Sequence, residues 1–188
     1  MKSLLAMICI LGMTGIMIGT IVEAGDTVTA TVTPGNYSVS VDPIAADYGS
    51  MTLAATETSA QIAATNAGSL TEKINILGSD ATYTEVAHCG DGTCTWTLST
   101  VAPGQDTIVH AFTTKATPPA TGATLGTNPL VEWVPLDKGA NYTIASASVE
   151  AADIMNFYLD MRTPATAGTE TDYGSEYSST VTLQAVAP

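Results

Sequence analysis

Apolar and polar residues alternate over much of the chain after residue 26, in short segments that Gly, Pro, Asn or Asp residues close. The alternation is strict in residues 27–33, so Val28, Ala30 and Val32 share one face of a predicted strand. A second alternating segment, 36–41, follows a Pro-Gly turn. Further strand-like segments are 48–54, 60–65, 70–77, 82–87, 94–98, 107–113, 130–134, 142–146, 154–161 and 179–187. This spacing predicts an all-β protein, a single antiparallel β-sandwich or jelly roll of about ten short strands.

Residues 148–161 allow two interpretations. Glu150 to Asp153 have good helix-forming chemistry, which favours an amphipathic helix. Residues 155–161, however, place Met, Phe, Leu and Met at every second position, and a period of two is typical of a half-buried strand. We predict a strand here and keep the helix as the alternative.

The first 24 residues have the pattern of a secretory signal peptide. A single lysine, Lys2, precedes an apolar run over 4–22, and the small residues Val22 and Ala24 occupy the positions that signal peptidase requires. An uncleaved transmembrane anchor is the alternative, because the run is nearly long enough to span a bilayer. Cleavage would leave 25–188 as one extracellular domain at the cell surface. Within it we predict that residues 114–129 form an exposed excursion, and a boundary between two subdomains is the alternative.

The charge of the chain limits its partners. The formal net charge is −13, and losing the leader leaves it unchanged because Lys2 and Glu23 leave together. Nucleic acids and anionic membranes both require a basic patch on the protein. We therefore predict no nucleic-acid partner, and no membrane contact after leader removal. The acidic residues are scattered singly, which is typical of a solvated surface.

Cys89 and Cys94 are the two cysteines outside the leader. They lie across a Gly-Asp-Gly turn in a chain predicted to be exported, so we predict that they form a disulfide bond. A zinc site is the alternative. It would need two more ligands, and His88 and His110 are the only histidines in the chain.

We predict that the protein is not an enzyme. A serine triad would have to recruit His88 or His110, and the chain has no Gly-x-Ser-x-Gly turn. A glycosidase would place two carboxylates in a cleft lined by aromatic residues. The chain has only two Trp and two Phe residues, and we interpret both histidines as structural side chains.

The loop-like segments contain possible modification and metal sites. Asn36 and Asn141 each begin an Asn-x-Ser/Thr sequon, which makes them candidate glycosylation sites in an exported chain. We predict no required cofactor. Calcium is the ion that loop carboxylates could bind, although isolated solvated acids are the alternative interpretation. The carboxylates concerned are Asp42, Asp47, Asp91 and Asp106.

Four features occur together along the chain: the leader, an alternating strand directly behind it over 26–41, the turn Thr65-Asn66-Ala67-Gly68 followed by a further strand, and a closing strand over 177–188. In this combination the chain resembles the secreted β-sandwich subunits of extracellular fibres of the camelysin and biofilm-matrix type. The resemblance implies a structural role and a homopolymer.

Trp96-Thr97-Leu98 matches the first short motif of WxL-type surface domains, which attach noncovalently to cell walls, and 177–188 is similar to their closing strand. Their second Trp is missing, and Leu183 stands near its place. This second resemblance implies a module that binds cell-wall glycan. A type IV pilin fits less well, because no Gly precedes the apolar run and Glu23 follows that run instead of opening it.

We predict a non-enzymatic structural protein of the cell surface, a subunit that forms an extracellular filament with copies of itself. Residues 27–33 carry no charge, so as an exposed sheet edge they would be a template for another chain. We expect the N-terminal strand (26–41) to be donated to a neighbouring subunit, where Val28, Ala30 and Val32 fill pockets. Pairing of this strand within its own sandwich is the alternative.

Overall fold

The computed structural model describes residues 34–84, 93–144, 148–169 and 175–188, nearly all within one compact unit, Gly35–Pro188. These ranges are all-β: they contain twelve strands and no helix, and so no helix long and apolar enough to cross a membrane. The strands are β1 Val39–Asp42, β2 Thr56–Thr58, β3 Ile62–Asn66, β4 Lys73–Leu77, β5 Ala81–Thr84, β6 Thr93–Leu98, β7 Thr107–Thr113, β8 Val134–Pro135, β9 Tyr142–Thr143, β10 Ile154–Arg162, β11 Ser178–Ser179 and β12 Thr182–Val186.

The strands form two sheets in a sandwich-like arrangement. The larger sheet has nine strands, in the order β1-β3-β10-β7-β6-β5-β11, with β2 added beside β10 and β8 beside β7. The smaller sheet has the order β12-β4-β9. All pairings between these strands are antiparallel except one, since β6 and β7 run parallel. The prediction of a purely antiparallel sheet is therefore wrong at this pair, because residues 99–106 carry the chain back before β7 begins.

The core lies between the sheets and follows the predicted alternation. In β3 the residues Ile62 and Ala64 are buried, and in β4 Ile74 and Ile76 are fully buried. These side chains belong to one cluster with residues of β7 and β10. Burying an isoleucine stabilises the folded state by about 1.5–3 kcal/mol, so the inward positions of these strands determine which face each one presents.

Residues 154–162 form a strand, as the period of two predicted, and the helix alternative is wrong. Strand β10 lies in the middle of the larger sheet, where it pairs with β2, β3 and β7. Its inward residues Phe157 and Leu159 are buried in the core. An amphipathic helix could not supply the backbone groups that three neighbouring strands require.

Two predicted strands are largely turns. Residues 48–54 contain no strand, and the chain enters β2 only after Ala54, whose φ of 55° places it in the left-handed region. Residues 130–132 are also outside any strand, because the carbonyl of Asn128 accepts hydrogen bonds from the backbone N–H groups of Val131 and Glu132. Such local bonds hold the backbone in a turn and keep it from extending.

The predicted excursion 114–129 packs against the larger sheet. The fully buried Trp133 forms a second core with Val109 and Ala111 of β7, and Leu125 of the excursion packs against this cluster. The Trp133 indole N–H donates to the carbonyl of Ala120 over 3.1 Å. Strand β7 is therefore covered on both faces, which explains why six of its seven residues are buried.

A buried ion pair holds the same excursion in place. The Arg162 Nε donates to Asp160 Oδ2 over 2.8 Å, and its Nη2 donates to the carbonyl of Ala123. Burial raises the pKa of Asp160, and the Arg162 guanidinium opposes this shift. Both residues extend from the face of β10 opposite Phe157, so the pair lies outside the main core.

The two sheets are connected at a corner that two chain segments cross together. Strands β4 and β5 are consecutive, and they pair with β12 and β11 respectively. At the bend the backbone N–H of Thr180 donates to Ser79 Oγ over 2.8 Å. The predicted closing strand, 179–187, is thus split between the two sheets. This crossing leaves β12 as an edge strand of the smaller sheet.

Candidate functional site

Strands β1 and β12 are edge strands that approach each other without pairing. Among the described residues β1 pairs only with β3, and β12 pairs only with β4. Each strand therefore keeps one row of backbone N–H and C=O groups that no described strand satisfies. We call the gap between these two edges the seam. Unpaired strand edges of this kind are templates for the addition of another strand.

A cavity of about 860 Å³ lies behind the seam. Val41 of β1 and Leu183 of β12 line it from the two edges, and the inward residues Phe157, Leu159 and Met161 of β10 line it from the larger sheet. A cavity of this size could hold several side chains, since ligand-binding cavities typically measure about 300–1,000 Å³. The seam thus opens onto an incompletely filled part of the core.

Residues 43–51, which we call the cover, run along one side of this cavity. Within the described part of the chain, the only hydrogen bond that we find for the backbone of the cover is local, from the Gly49 N–H to Asp47 Oδ1 over 2.7 Å. Ala46 and Tyr48 pack against the core, whereas Ile44 is 94% exposed. The cover is therefore attached to the sheets through side chains and not through a strand ladder.

Tyr48 and His110 join the cover to the larger sheet. The tyrosine hydroxyl and His110 Nε2 lie 2.8 Å apart in a hydrogen bond, and the rings pack edge to face with centroids 5.8 Å apart. On the other side of the imidazole, Ser179 Oγ lies 3.4 Å from Nδ1. His110 is in the middle of β7, with its side chain on the cavity face, because its neighbours Val109 and Ala111 face the second core.

The buried setting of this group determines its protonation. Burial lowers the pKa of His110 to about 4, so the imidazole is neutral at neutral pH. Burial also raises the pKa of Tyr48, and the nearby Asp160 charge adds to this shift, so the tyrosine keeps its proton. Both ring nitrogens of His110 face hydroxyl groups, whereas a serine triad would place a carboxylate against one of them. The geometry fits a neutral hydrogen-bonded group.

The base of the seam is fixed by the turn that the fibre-subunit resemblance singled out. The Asn66 side chain donates to the carbonyls of Leu70 and Val149, and its Oδ1 accepts from the Gly68 N–H. Glu72 is fully buried, and its Oε2 accepts a hydrogen bond from the Ser38 N–H over 3.0 Å. The chain leading into β1 is thereby held against residues 66–72, at one end of the seam.

The predicted assembly strand and disulfide fall partly outside the described residues. Val28, Ala30 and Val32 lie outside them, as do His88 and Cys89. Cys94 is fully buried in β6, opposite Tyr83 of β5. The Cys89–Cys94 disulfide and the alternative zinc site therefore stay predictions.

Both sequon asparagines are at the surface. Asn36 precedes β1, and its side-chain oxygen accepts a hydrogen bond from Ser69 Oγ over 3.2 Å. Asn141 precedes the edge strand β9 and is exposed. Exposure of both positions is compatible with glycan attachment, which stays a prediction.

The carboxylates considered for calcium do not converge where the structure describes them. Asp47 and Asp106 each bind a backbone N–H, of Gly49 and Gly168 respectively. Asp42 is exposed at the end of β1, and Asp91 lies outside the described residues. Among the residues described, no three His, Cys, Asp or Glu side chains are grouped so as to hold a metal ion.

Trp96, the first residue of the WxL-like motif, lines the cavity from β6. Its indole ring stacks on Tyr177, with centroids 3.7 Å apart and an angle of 6° between the rings. Leu98, the last residue of the motif, is buried in the main core. One face of the indole is therefore engaged by the protein itself.

Comparison of the chain with protein-family models, with curated proteins and with solved structures found no match. The sequence did not indicate the cover or its bond to His110, because Tyr48 and His110 are 62 positions apart and no local pattern links them. The seam also has no local signal. It depends on which strands remain unpaired after all the others have paired.

Proposed function

We propose that the protein is a structural subunit of an extracellular filament, in which the seam of one copy accepts residues 27–33 of another copy. The observation that carries the proposal is a pair of edges, β1 and β12, that no described strand joins on their outer sides, next to a cavity lined by both apolar and polar side chains. A donated strand would satisfy the backbone groups of the edges that it joins and place side chains in the cavity. A single donated strand would therefore account for both the two edges and the cavity beside them.

The lengths of the two edge strands match the length of this occupant. At about 3.3 Å per residue, the four residues of β1 and the five of β12 extend about 13 and 17 Å. Residues 27–33 would extend about 23 Å, enough to cover either edge. Val28, Ala30 and Val32 would face the cavity, and the threonines between them would face outward.

The two valines are expected to decide the affinity. Burying both stabilises the pairing by about 3–6 kcal/mol, and each backbone hydrogen bond adds about 0.5–1.5 kcal/mol. Association costs about 4–15 kcal/mol in lost freedom of motion, and the burial of the two valines supplies a large share of the gain that offsets this cost. The net charge of −13 makes copies repel one another, and assembly is best measured near physiological salt, which screens that repulsion.

The test places two charges on the inward face of the donated strand. The double variant V28D/V32D would bury two unpaired carboxylates, which costs several kcal/mol, so we expect a folded monomer that forms no filaments. The matched control T29D/T31D adds the same charges to the outward face and should still form filaments. Negative-stain electron microscopy and sedimentation of the secreted protein measure both outcomes.

A mixing experiment separates donation from folding. V28D/V32D keeps an intact seam, so it should accept a strand from the end of a wild-type filament but donate none onward. Adding it in small amounts to the wild type should shorten the filaments, whereas T29D/T31D should not. If V28D/V32D is unfolded as a monomer, the strand belongs to its own sandwich and the proposal is wrong. If the wild type forms no filaments but sediments with cell walls, the glycan-binding alternative is supported instead.

A further inference from the structure

We propose that the cover, residues 43–51, closes the seam of an unassembled subunit and must be released before a strand is accepted, with the Tyr48–His110 hydrogen bond as its latch. This inference rests on the proposed function, because it assigns a regulatory step to the same seam. It starts from the position of the cover, which lines the cavity that the donated side chains would enter.

The cover is attached weakly compared with the strands beside it. A strand in a sheet exchanges backbone hydrogen bonds along its length, whereas the cover backbone makes one local bond among the described residues. Its far end is fixed where the carbonyl of Thr52 accepts a hydrogen bond from Thr163 Oγ1 over 2.7 Å. Among the residues that the structure describes, Tyr48 is the one residue of the cover that forms a hydrogen bond to the larger sheet. Segments with few backbone bonds open locally at low free-energy cost.

The side chains of the cover are distributed as this role requires. Tyr48 extends inward to the buried His110, while Ile44 remains 94% exposed at the edge of the cavity. The cavity therefore stays incompletely filled when the cover is closed. Opening would expose His110 to water, where the solvent replaces the tyrosine hydroxyl as its partner.

Two variants open the cover by different routes. Y48F removes the latch but keeps the ring, and leaves His110 Nε2 without its hydroxyl partner in the closed form. G49A acts without touching the core, because an added Cβ at Gly49 meets no atom within 4 Å but the φ of 64° strains any L-residue. The matched control is Y158F, which removes a hydroxyl that accepts from Gln61 Nε2 on the opposite face of the sheet.

Modification of His110 by diethyl pyrocarbonate, located by peptide mapping, measures opening in freshly purified monomer, because the imidazole is buried while the cover is closed. Light scattering measures the rate of assembly. We expect Y48F and G49A to speed the modification of His110 by about tenfold, and to speed assembly, while Y158F changes neither. Unchanged modification rates in both variants would overturn the latch. Faster modification with an unchanged rate of assembly would overturn the control of assembly by the cover. If His110 becomes accessible in the variants but no protein assembles, the proposed filament is wrong, and the modification data show that the latch itself was correctly identified.

Discussion

Acidification should destabilise this domain through His110. The folded state holds the pKa of this imidazole at about 4, whereas in the unfolded chain it is near the ordinary value of 6.5. Between these two values the unfolded chain binds a proton that the folded chain does not bind. The free energy of unfolding therefore falls as the pH falls from 6.5 to 4, and the contribution is unaffected above 6.5. At about 1.4 kcal/mol per pH unit, the loss at pH 4 is about 3 kcal/mol.

The variant H110Q isolates this contribution. Glutamine does not titrate, and its amide retains a donor and an acceptor for Tyr48 and Ser179, so its stability should lack the His110 component of the pH dependence. Other groups, including the buried Asp160, titrate in both proteins and cancel in the difference. Urea unfolding followed by tryptophan fluorescence from pH 7 to pH 4 measures both curves. If the two curves stay parallel within about 0.5 kcal/mol, His110 is not held neutral by burial and the reasoning fails.

Two further predictions concern the domain and its export. W133A should destabilise the fold by about 3–5 kcal/mol in urea unfolding, because the indole fills the second core. L130A, at an exposed residue three positions earlier, should change stability by less than about 0.5 kcal/mol. Equal effects of the two variants would contradict the packing described. The intact mass of the secreted protein should correspond to a chain without residues 1–24, and a mass that includes them would refute the predicted cleavage. Reduction of the Cys89–Cys94 bond should raise this mass by two daltons, and an unchanged mass would refute the predicted disulfide.

Strands that depend on local alternation could be predicted from the sequence. In β3, β4 and β10 the inward positions follow a period of two, since each strand faces the core on one side only. Strand β7 was also predicted, although it is buried on both faces, because its apolar run is bounded by turn residues. Each of these signals is contained within fewer than ten residues and needs no knowledge of the partner strand.

The corner between the sheets could not be predicted in this way. Residues 179–187 keep a strand-like composition through the bend, so the sequence gives no reason to divide them. The division arises because Ser179 pairs with Ala81 while Thr182 pairs with Leu77, which belong to different sheets. Pairing partners so distant in the chain depend on the whole fold. The same is true of the parallel pair β6–β7 and of the bond between Tyr48 and His110.

The edges of the described sheets differ in a way that supports the proposed role of the seam. Proteins protect sheet edges with very short strands, lysines, prolines or bulges. Strands β9 and β11 are edges of two residues each, and β9 is preceded by the exposed sequon residue Asn141. The longest edges, β1 and β12, flank the seam, and neither has a lysine or a proline within it. The edges where a second chain is proposed to bind are therefore the least protected by their own sequence. The cover lines the cavity behind these two edges, and it would protect them until assembly.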